Sequence, residues 1–109
     1  MKTLASKKCE PCRGGVPPLN AQQIRPLLDQ VKGWEVIENH HIRKQFKFPD
    51  FMQALDFVNR VGAIAEEQDH HPDITFGWGK AEIVFWTHKA GGLTENDFIV
   101  AAKIDAITS

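Results

Sequence analysis

The amino-acid sequence predicts an α+β fold in which a four-stranded antiparallel sheet carries about three helices packed on one face. The 109 residues are enough for one domain with its own core, and 42% of them are hydrophobic. Segments with apolar residues three and four positions apart predict helices, and segments in which apolar and polar residues alternate predict strands. They follow one another in the order α-β-β-α-β-β-α. One strand has an apolar and a polar face, which is typical of an antiparallel sheet.

The composition excludes several classes of protein. The net charge is −1, with 13 basic and 14 acidic residues, whereas nucleic-acid-binding domains usually carry a clear excess of basic residues. No apolar run approaches the roughly 18 residues that a membrane span needs. The first 20 residues contain lysines but lack the apolar core of a secretory signal. We therefore expect a cytoplasmic protein with no nucleic-acid and no membrane partner.

Residues 1–18 are predicted to form a flexible N-terminal tail, and residues 19–109 a single domain. The tail is rich in lysine, glycine and proline and offers almost nothing to bury. It contains Cys9 and Cys12 in a CEPC sequence, a spacing found in redox dithiols and in half of a zinc site. A thioredoxin-like dithiol needs a βαβ context and a zinc site needs a second ligand pair. The sequence offers neither, which favours a tail with two free thiols.

The first half of the domain is predicted to contain a helix and a pair of strands. Asn20 is suited to cap a helix whose apolar residues continue at helical spacing to Val31, before Gly33 ends it. Pro26 within the first turns weakens this prediction. Alternating residues then predict two strands on either side of a turn near residues 38–40.

The longest helix is predicted over about residues 50–69. Its apolar stripe, at spacings of three and four, consists of Phe51, Leu55, Val58, Val61 and Ala65. Glu66 and His70 share a face if the helix lasts that long. Pro72 disfavours the α conformation at His71, so the chain must become extended there. The two histidines are therefore expected at a helix end, pointing in different directions.

A hairpin brings a third histidine to the same place. If Trp78–Gly79 is a two-residue turn, Gly77 pairs with Lys80 and the two strands run back together. On this register His88 lies beside the corner that holds His70 and His71. Three imidazoles and a carboxylate are thus predicted to converge.

The last helix is predicted over about residues 95–107. Thr94 and Asp97 form a capping-box pattern at its start, and this structural role of Asp97 is favoured over a direct chemical one. The preceding Gly91–Gly92 breaks the chain and leaves room beside the histidines. For the three tryptophans, packing or exposure is favoured over stacking on a ligand: Trp34, Trp78 and Trp86.

The predicted histidine cluster is compatible with three interpretations. An imidazole in water titrates at about pH 6.5, so the cluster can donate and accept protons at working pH, and an acid–base site is favoured. Three imidazoles and a water are also a known zinc arrangement. Adjacent histidines in extended backbone rarely point the same way, however, and the sequence offers no clear second shell for a metal. The third interpretation is a group of structural histidines with no chemical role.

Several separated segments resemble the pterin-4a-carbinolamine dehydratase family, over about residues 19–107. They are GWEV at 33–36, IRKQFKF at 42–48, AEEQDHHPDI at 65–74 and THKAGGLTENDF at 87–98. The family's hallmark residues fall on Glu66, His70, His71, Pro72, Trp78, His88 and Asp97. The sequence departs from the family at the hairpin turn, where Trp78–Gly79 replaces the usual Tyr-Asn.

The resemblance implies a hydro-lyase that dehydrates 4a-hydroxytetrahydropterin, as formed by aromatic amino acid hydroxylases, to quinonoid dihydropterin. No metal and no cofactor is implied. By carry-over, His70 and His88 are the expected general acid and base, and His71 holds the pterin ring and shares the base role. Glu66 is expected to orient His70 or to accept hydrogen bonds from the ring. The remaining residues implied in substrate binding are Asp69, Pro72, Thr87 and Asp97.

The resemblance also implies partners. An open-edged sheet in a small protein invites strand pairing between subunits. Members of the family form dimers and tetramers, so the resemblance implies a homodimer or a homotetramer. The substrate implies a functional link to an aromatic amino acid hydroxylase in tetrahydrobiopterin recycling. The alternative is a non-catalytic member that binds pterin, or that binds a protein as a transcriptional coactivator does. The intact histidine set favours the enzyme.

Overall fold

The computed structural model describes residues 3–10 and 17–108. Outside the described residues lie 1, 2, 11–16 and 109, which include Cys12 of the CEPC sequence. In that part of the chain the α-helices and strands are α1 (Ala21–Leu28), β1 (Glu35–Ile37), β2 (His41–Lys47), α2 (Phe51–Gln68), β3 (Asp73–Gly77), β4 (Lys80–Phe85) and α3 (Glu95–Thr108). The strands form an antiparallel sheet in the order β1-β2-β4-β3. The predicted α+β class and element order are confirmed. Each helix within the described ranges is too short or too polar to cross a membrane.

The core lies between one face of the sheet and the helices. Ile42, Ile83 and Phe85 on that face are fully buried, in one apolar cluster with Val61 of α2 and Phe98 of α3. Burial of each such side chain contributes about 1.5–3 kcal/mol to folding. The alternate positions of β2 and β4 carry mostly polar side chains and remain partly or fully exposed. The sheet is therefore covered on one face, as its alternation predicts.

The hairpin of β3 and β4 has the predicted two-residue turn. Gly77 pairs with Lys80, while Trp78 in the turn is exposed and Gly79 has a φ of +73°. This register is the one that the sequence predicts. It carries the chain after β4 back toward the end of α2, which brings His88 to the histidine corner.

Helix α1 begins where the sequence predicts and ends earlier. The Asn20 side chain accepts from Gln23 N and the Gln23 side chain accepts from Asn20 N, which completes a capping box. The helix was expected to include Val31, but it ends at Leu28, and Val31 N donates to the Leu28 carbonyl only three residues back. Because Pro26 lacks an N–H, the short helix loses a backbone hydrogen bond and gives way to tighter turns.

Residues 3–10 differ from the tail that their composition predicts. They include a turn of 3-10 helix at Leu4–Ser6, and Leu4 is only 3% exposed within the core. Lys103 Nζ of α3 donates to the Ala5 carbonyl at 2.7 Å. The expectation of almost nothing to bury is therefore wrong for this stretch, because one well-placed leucine fixes it on the domain.

Candidate active site

The end of α2 sets the directions of two neighbouring histidines. The helix closes at Asp69, whose φ of 51° lies in the left-handed region. His70 N still donates to the Ala65 carbonyl at 3.1 Å, but beyond Asp69 the helical face is lost. His70 consequently does not pair with Glu66 four residues earlier. His70 and His71 bind different carboxylates, in line with the predicted divergence of the two side chains.

His70 is bound to a buried carboxylate at the start of α3. Its Nε2 lies 2.6 Å from Asp97 Oδ1, and the two side chains are 10% and 0% exposed. The His70 ring is parallel to that of Phe85, with centroids 5.7 Å apart. Asp97 Oδ2 accepts from Thr94 N at 2.9 Å and from Thr87 Oγ1 at 3.0 Å. The predicted capping bond between Thr94 and Asp97 is present, and the same carboxylate fixes His70.

This arrangement determines which nitrogen of His70 is open to a ligand. Asp97 already accepts two hydrogen bonds on Oδ2, so its Oδ1 is suited to accept a third from His70 Nε2–H. A proton held on Nε2 leaves the lone pair on Nδ1. In the described residues no hydrogen bond occupies that nitrogen. His70 can therefore accept a proton from a ligand while Asp97 stabilises the imidazolium that results.

His71 forms a different and more exposed pair. Its Nε2 lies 2.8 Å from Glu66 Oε1, with the two side chains 53% and 80% exposed. Exposed ion pairs contribute at most about 1 kcal/mol. The expectation that Glu66 orients His70 is wrong: Asp97 has that position, because the left-handed Asp69 turns His70 away from the helical face.

His88 is held by an aromatic stack. Its ring is parallel to that of Trp86 within 5°, with centroids 4.4 Å apart. Trp86 also contacts the rings of His40 and His41, at 5.5 and 6.1 Å between centroids. No hydrogen bond between the described residues involves the His88 ring. Both of its nitrogens are therefore available to a ligand.

The loop that carries His88 is closed at its base. Thr87 N donates to the Gly92 carbonyl at 2.8 Å, and the two residues form an isolated β-bridge. Gly91 has a φ of +70°, which favours glycine. A Cβ on Gly92 would lie 2.7 Å from the Pro18 side chain. The two glycines thus allow a tight return of the chain that fixes the position of His88.

These side chains surround a cavity of about 550 Å³, a volume typical of small-molecule sites. Six of the eight predicted site residues line it: Asp69, His70, His71, Pro72, Thr87 and His88. Glu66 and Asp97 are not in the lining and contact His71 and His70 instead. The lining residues that the sequence did not predict are Cys9, Glu10, Gln68, Asp73, Trp86, Lys89 and Asn96.

The thiol of Cys9 in this lining is poorly suited to redox or metal chemistry at neutral pH. Burial raises its pKa to about 11, with Lys103 lowering the pKa and Asp97 raising it further. The thiolate is the form that attacks disulfides and binds metals. Within residues 3–10 and 17–108, no three histidine, cysteine, aspartate or glutamate side chains are grouped so that they could hold a metal ion.

The fold and the cavity define a class of protein, a small α+β domain with a histidine-rich site for a small molecule. The sequence model of the pterin 4 alpha carbinolamine dehydratase family matches residues 17–107. The chain belongs to this family, as its motifs predict. Dehydratases are hydro-lyases, so the predicted enzyme class is confirmed as well.

Relatives from bacteria are similar over almost the whole chain. A candidate pterin-4-alpha-carbinolamine dehydratase of Rubrobacter xylanophilus is 59% identical over 98% of this chain and 100% of its own length. One of Rickettsia bellii is 52% identical over 96% of this chain and 94% of its own. A crystal structure of a transcriptional coactivator/pterin dehydratase from Brucella melitensis is 30% identical, with a TM-score of 0.79. It matches 84% of this chain and 98% of that one.

Proposed function

We propose that the protein dehydrates a 4a-hydroxytetrahydropterin by general acid–base catalysis with histidines. The C4a–O bond breaks, and the hydroxyl leaves as water after it takes a proton from a general acid. A general base removes the proton from N5, and the N–H electron pair forms the C4a=N5 double bond of the quinonoid dihydropterin. Membership in the dehydratase family supports this reaction and substrate class.

The observation that carries the proposal is the contrast between two imidazoles in one cavity. His70 is partly buried and bound to Asp97 through Nε2, which suits its Nδ1 to accept the N5 proton. His88 is exposed, stacked on Trp86 and free of hydrogen bonds from the described residues, which suits it to give a proton to the leaving hydroxyl. A well-placed acid or base typically contributes about 10²–10⁴-fold to the rate.

The other predicted site residues have supporting roles in this proposal. His71 contacts the pterin ring at the cavity wall. Glu66 orients the His71 imidazole through the 2.8 Å contact between Oε1 and Nε2. Asp69, Pro72 and Thr87 shape the wall. The step needs no cofactor because it transfers protons and breaks one C–O bond without oxidation or reduction. As part of the proposal, the substrate comes from an aromatic amino acid hydroxylase in the cytoplasm.

The test is a stopped-flow ultraviolet measurement of 4a-hydroxytetrahydropterin dehydration, with and without the protein, after treatment with a chelator. We expect saturable acceleration that the chelator does not change. Acceleration that disappears on chelation and returns with zinc would instead indicate a metal site. No acceleration in either condition would contradict the proposal and favour a pterin-binding or regulatory member of the family.

We also propose that the protein self-associates through the β3 edge of the sheet. Phe51, Met52 and Phe76 are 42%, 61% and 37% exposed, and the rings of Phe51 and Phe76 are 5.7 Å apart. This apolar surface adjoins the open edge of β3, where a second copy can pair its backbone. Its position supports the predicted homodimer or homotetramer.

A single exposed side chain tests this association. In analytical ultracentrifugation we expect the protein to sediment as a dimer or tetramer, and Met52→Lys to shift it toward the monomer because a charge is costly to bury there. Gln53→Lys, one residue further along the same exposed helix start, is the matched control and should leave the mass unchanged. A monomeric protein, or equal masses for the two variants, would contradict this interface.

A further inference from the structure

The N-terminal segment, residues 3–10, is part of the cavity as well as of the core. Leu4 is buried, Lys103 holds the Ala5 carbonyl, and Lys7 Nζ lies 3.1 Å from Glu95 Oε1 on α3. These contacts fix the first half of the segment. Its last two described residues, Cys9 and Glu10, then line the same cavity as the three histidines.

Two side chains clamp the backbone of that last part. Asn96 of α3 accepts from Glu10 N at 3.0 Å through Oδ1 and donates to the Glu10 carbonyl at 2.7 Å through Nδ2, so its amide pairs with both backbone groups of one residue. Gln68, at the end of α2, accepts from Cys9 N at 2.9 Å. Asn96 and Gln68 line the cavity themselves. These three side-chain hydrogen bonds hold the backbone of Cys9 and Glu10 at the edge of the cavity.

The clamp leaves the Glu10 carboxylate unoccupied by any hydrogen bond between the described residues. Glu10 is an exposed residue of the cavity lining, and Asn96, which holds its backbone, is in the lining as well. The cavity, at about 550 Å³, has room for more than a bicyclic ring. A carboxylate with two oxygens is well suited to accept hydrogen bonds from vicinal hydroxyl groups.

We propose that the clamped N-terminal segment determines substrate specificity, with Glu10 accepting hydrogen bonds from a hydroxylated substituent on the pterin ring. This inference rests on the proposed function. The N-terminal segment then has a chemical role at the cavity. Cys9 lines the cavity, and its thiol takes no part in the reaction. Proton transfer then depends on the histidines, and discrimination between pterins depends on the segment.

The test compares two substrates, the 4a-hydroxytetrahydropterins with a 6-dihydroxypropyl and with a 6-methyl substituent. For Glu10→Ala we expect the ratio of kcat/KM for the hydroxylated over the methylated substrate to fall about tenfold, the value of one hydrogen bond to a charged group. The change should appear in KM for the hydroxylated substrate, with kcat unchanged. Asn96→Leu, which releases Glu10, should lower the ratio in the same way, and Glu10→Gln should keep part of it.

An exposed glutamate away from the segment supplies the control. Glu35→Ala removes a surface pair with Arg43 on the β1 side of the sheet, outside the lining, and should leave the ratio unchanged. A ratio that is the same in wild type, Glu10→Ala and Asn96→Leu, with both substrates dehydrated, would overturn the specificity role alone. No acceleration with either substrate would overturn the proposed function and this inference together.

Discussion

Removal of the His70 imidazole is expected to lower kcat for dehydration by about 10²–10⁴-fold, and removal of the His88 imidazole by a similar factor. Both rings line the cavity, and both keep a nitrogen that no hydrogen bond between the described residues occupies. His71→Ala is expected to lower kcat less than tenfold, because its exposed pair with Glu66 commits Nε2 and leaves the ring half in solvent. Stopped-flow turnover under saturating substrate measures all three variants.

One of the two histidines outside the cavity, His40, gives a matched control for this series. His40 contacts Trp86 but does not line the cavity, so His40→Ala should retain nearly the wild-type kcat. Unfolding by urea should show whether each variant is folded at the assay temperature. Near wild-type turnover in two of His70→Ala, His71→Ala and His88→Ala would contradict histidine acid–base catalysis at this corner.

The fold could be predicted well because its signals are local and strong. The alternation of β2, the two-residue turn at Trp78–Gly79 and the Asn20 cap of α1 each depend on a few neighbouring residues. The turn determines the register of the hairpin of β3 and β4, and this register determines the position of His88. Helix α1 was predicted too long because Pro26 and tertiary packing, rather than apolar spacing, decide where it ends.

The site could be predicted only where the position of a residue in the sequence determines the direction of its side chain. The i, i+4 spacing predicted that Glu66 contacts His70. Because Asp69 has a left-handed conformation, His70 binds Asp97 instead. The spacing of residues in a sequence does not show which residue has a positive φ. Trp86 and His88 lie two residues apart at a strand end, where alternation puts side chains on one face, so their stack could have been inferred.

The N-terminal wall could not be predicted by the same means. Cys9 and Glu10 reach the cavity through side chains that lie far from them in sequence, those of Gln68 and Asn96. The N-terminal segment is polar and has few apolar residues, as its composition shows. Its placement depends on one buried leucine and a few long-range hydrogen bonds, which have no periodic pattern in the sequence.

Replacement of Asp97 is expected to damage both stability and catalysis, and two variants separate these effects. Asp97→Ala leaves the hydrogen-bond donors of His70, Thr87 and Thr94 without their buried acceptor, and we expect a loss of about 3–5 kcal/mol in the free energy of unfolding. Asp97→Asn keeps the volume of the side chain. Its amide nitrogen, if directed at His70, would donate to Nε2 and move the imidazole proton to Nδ1.

That change of tautomer is the reason to expect a kinetic effect from Asp97→Asn. With its proton on Nδ1, His70 presents a donor to the substrate where the proposed mechanism needs an acceptor. In the Ser-His-Asp triad the equivalent carboxylate-to-amide change lowers kcat about 10⁴-fold for this reason, and we expect a loss of about 10²–10⁴-fold here. Nitrogen-15 chemical shifts of the His70 ring would report the tautomer directly.

A second aspartate on the same helix separates loss of structure from loss of chemistry. Asp105 accepts from Trp34 Nε1 at 3.0 Å and from Lys44 Nζ at 2.9 Å, away from the cavity. Asp105→Asn should therefore lower the free energy of unfolding and leave kcat unchanged, whereas Asp97→Asn should lower kcat while the protein is still folded. If Asp97→Asn kept the wild-type kcat, or its His70 tautomer proved unchanged, Asp97 would serve only to hold the start of α3, and the base would have to be found among the other imidazoles of the cavity.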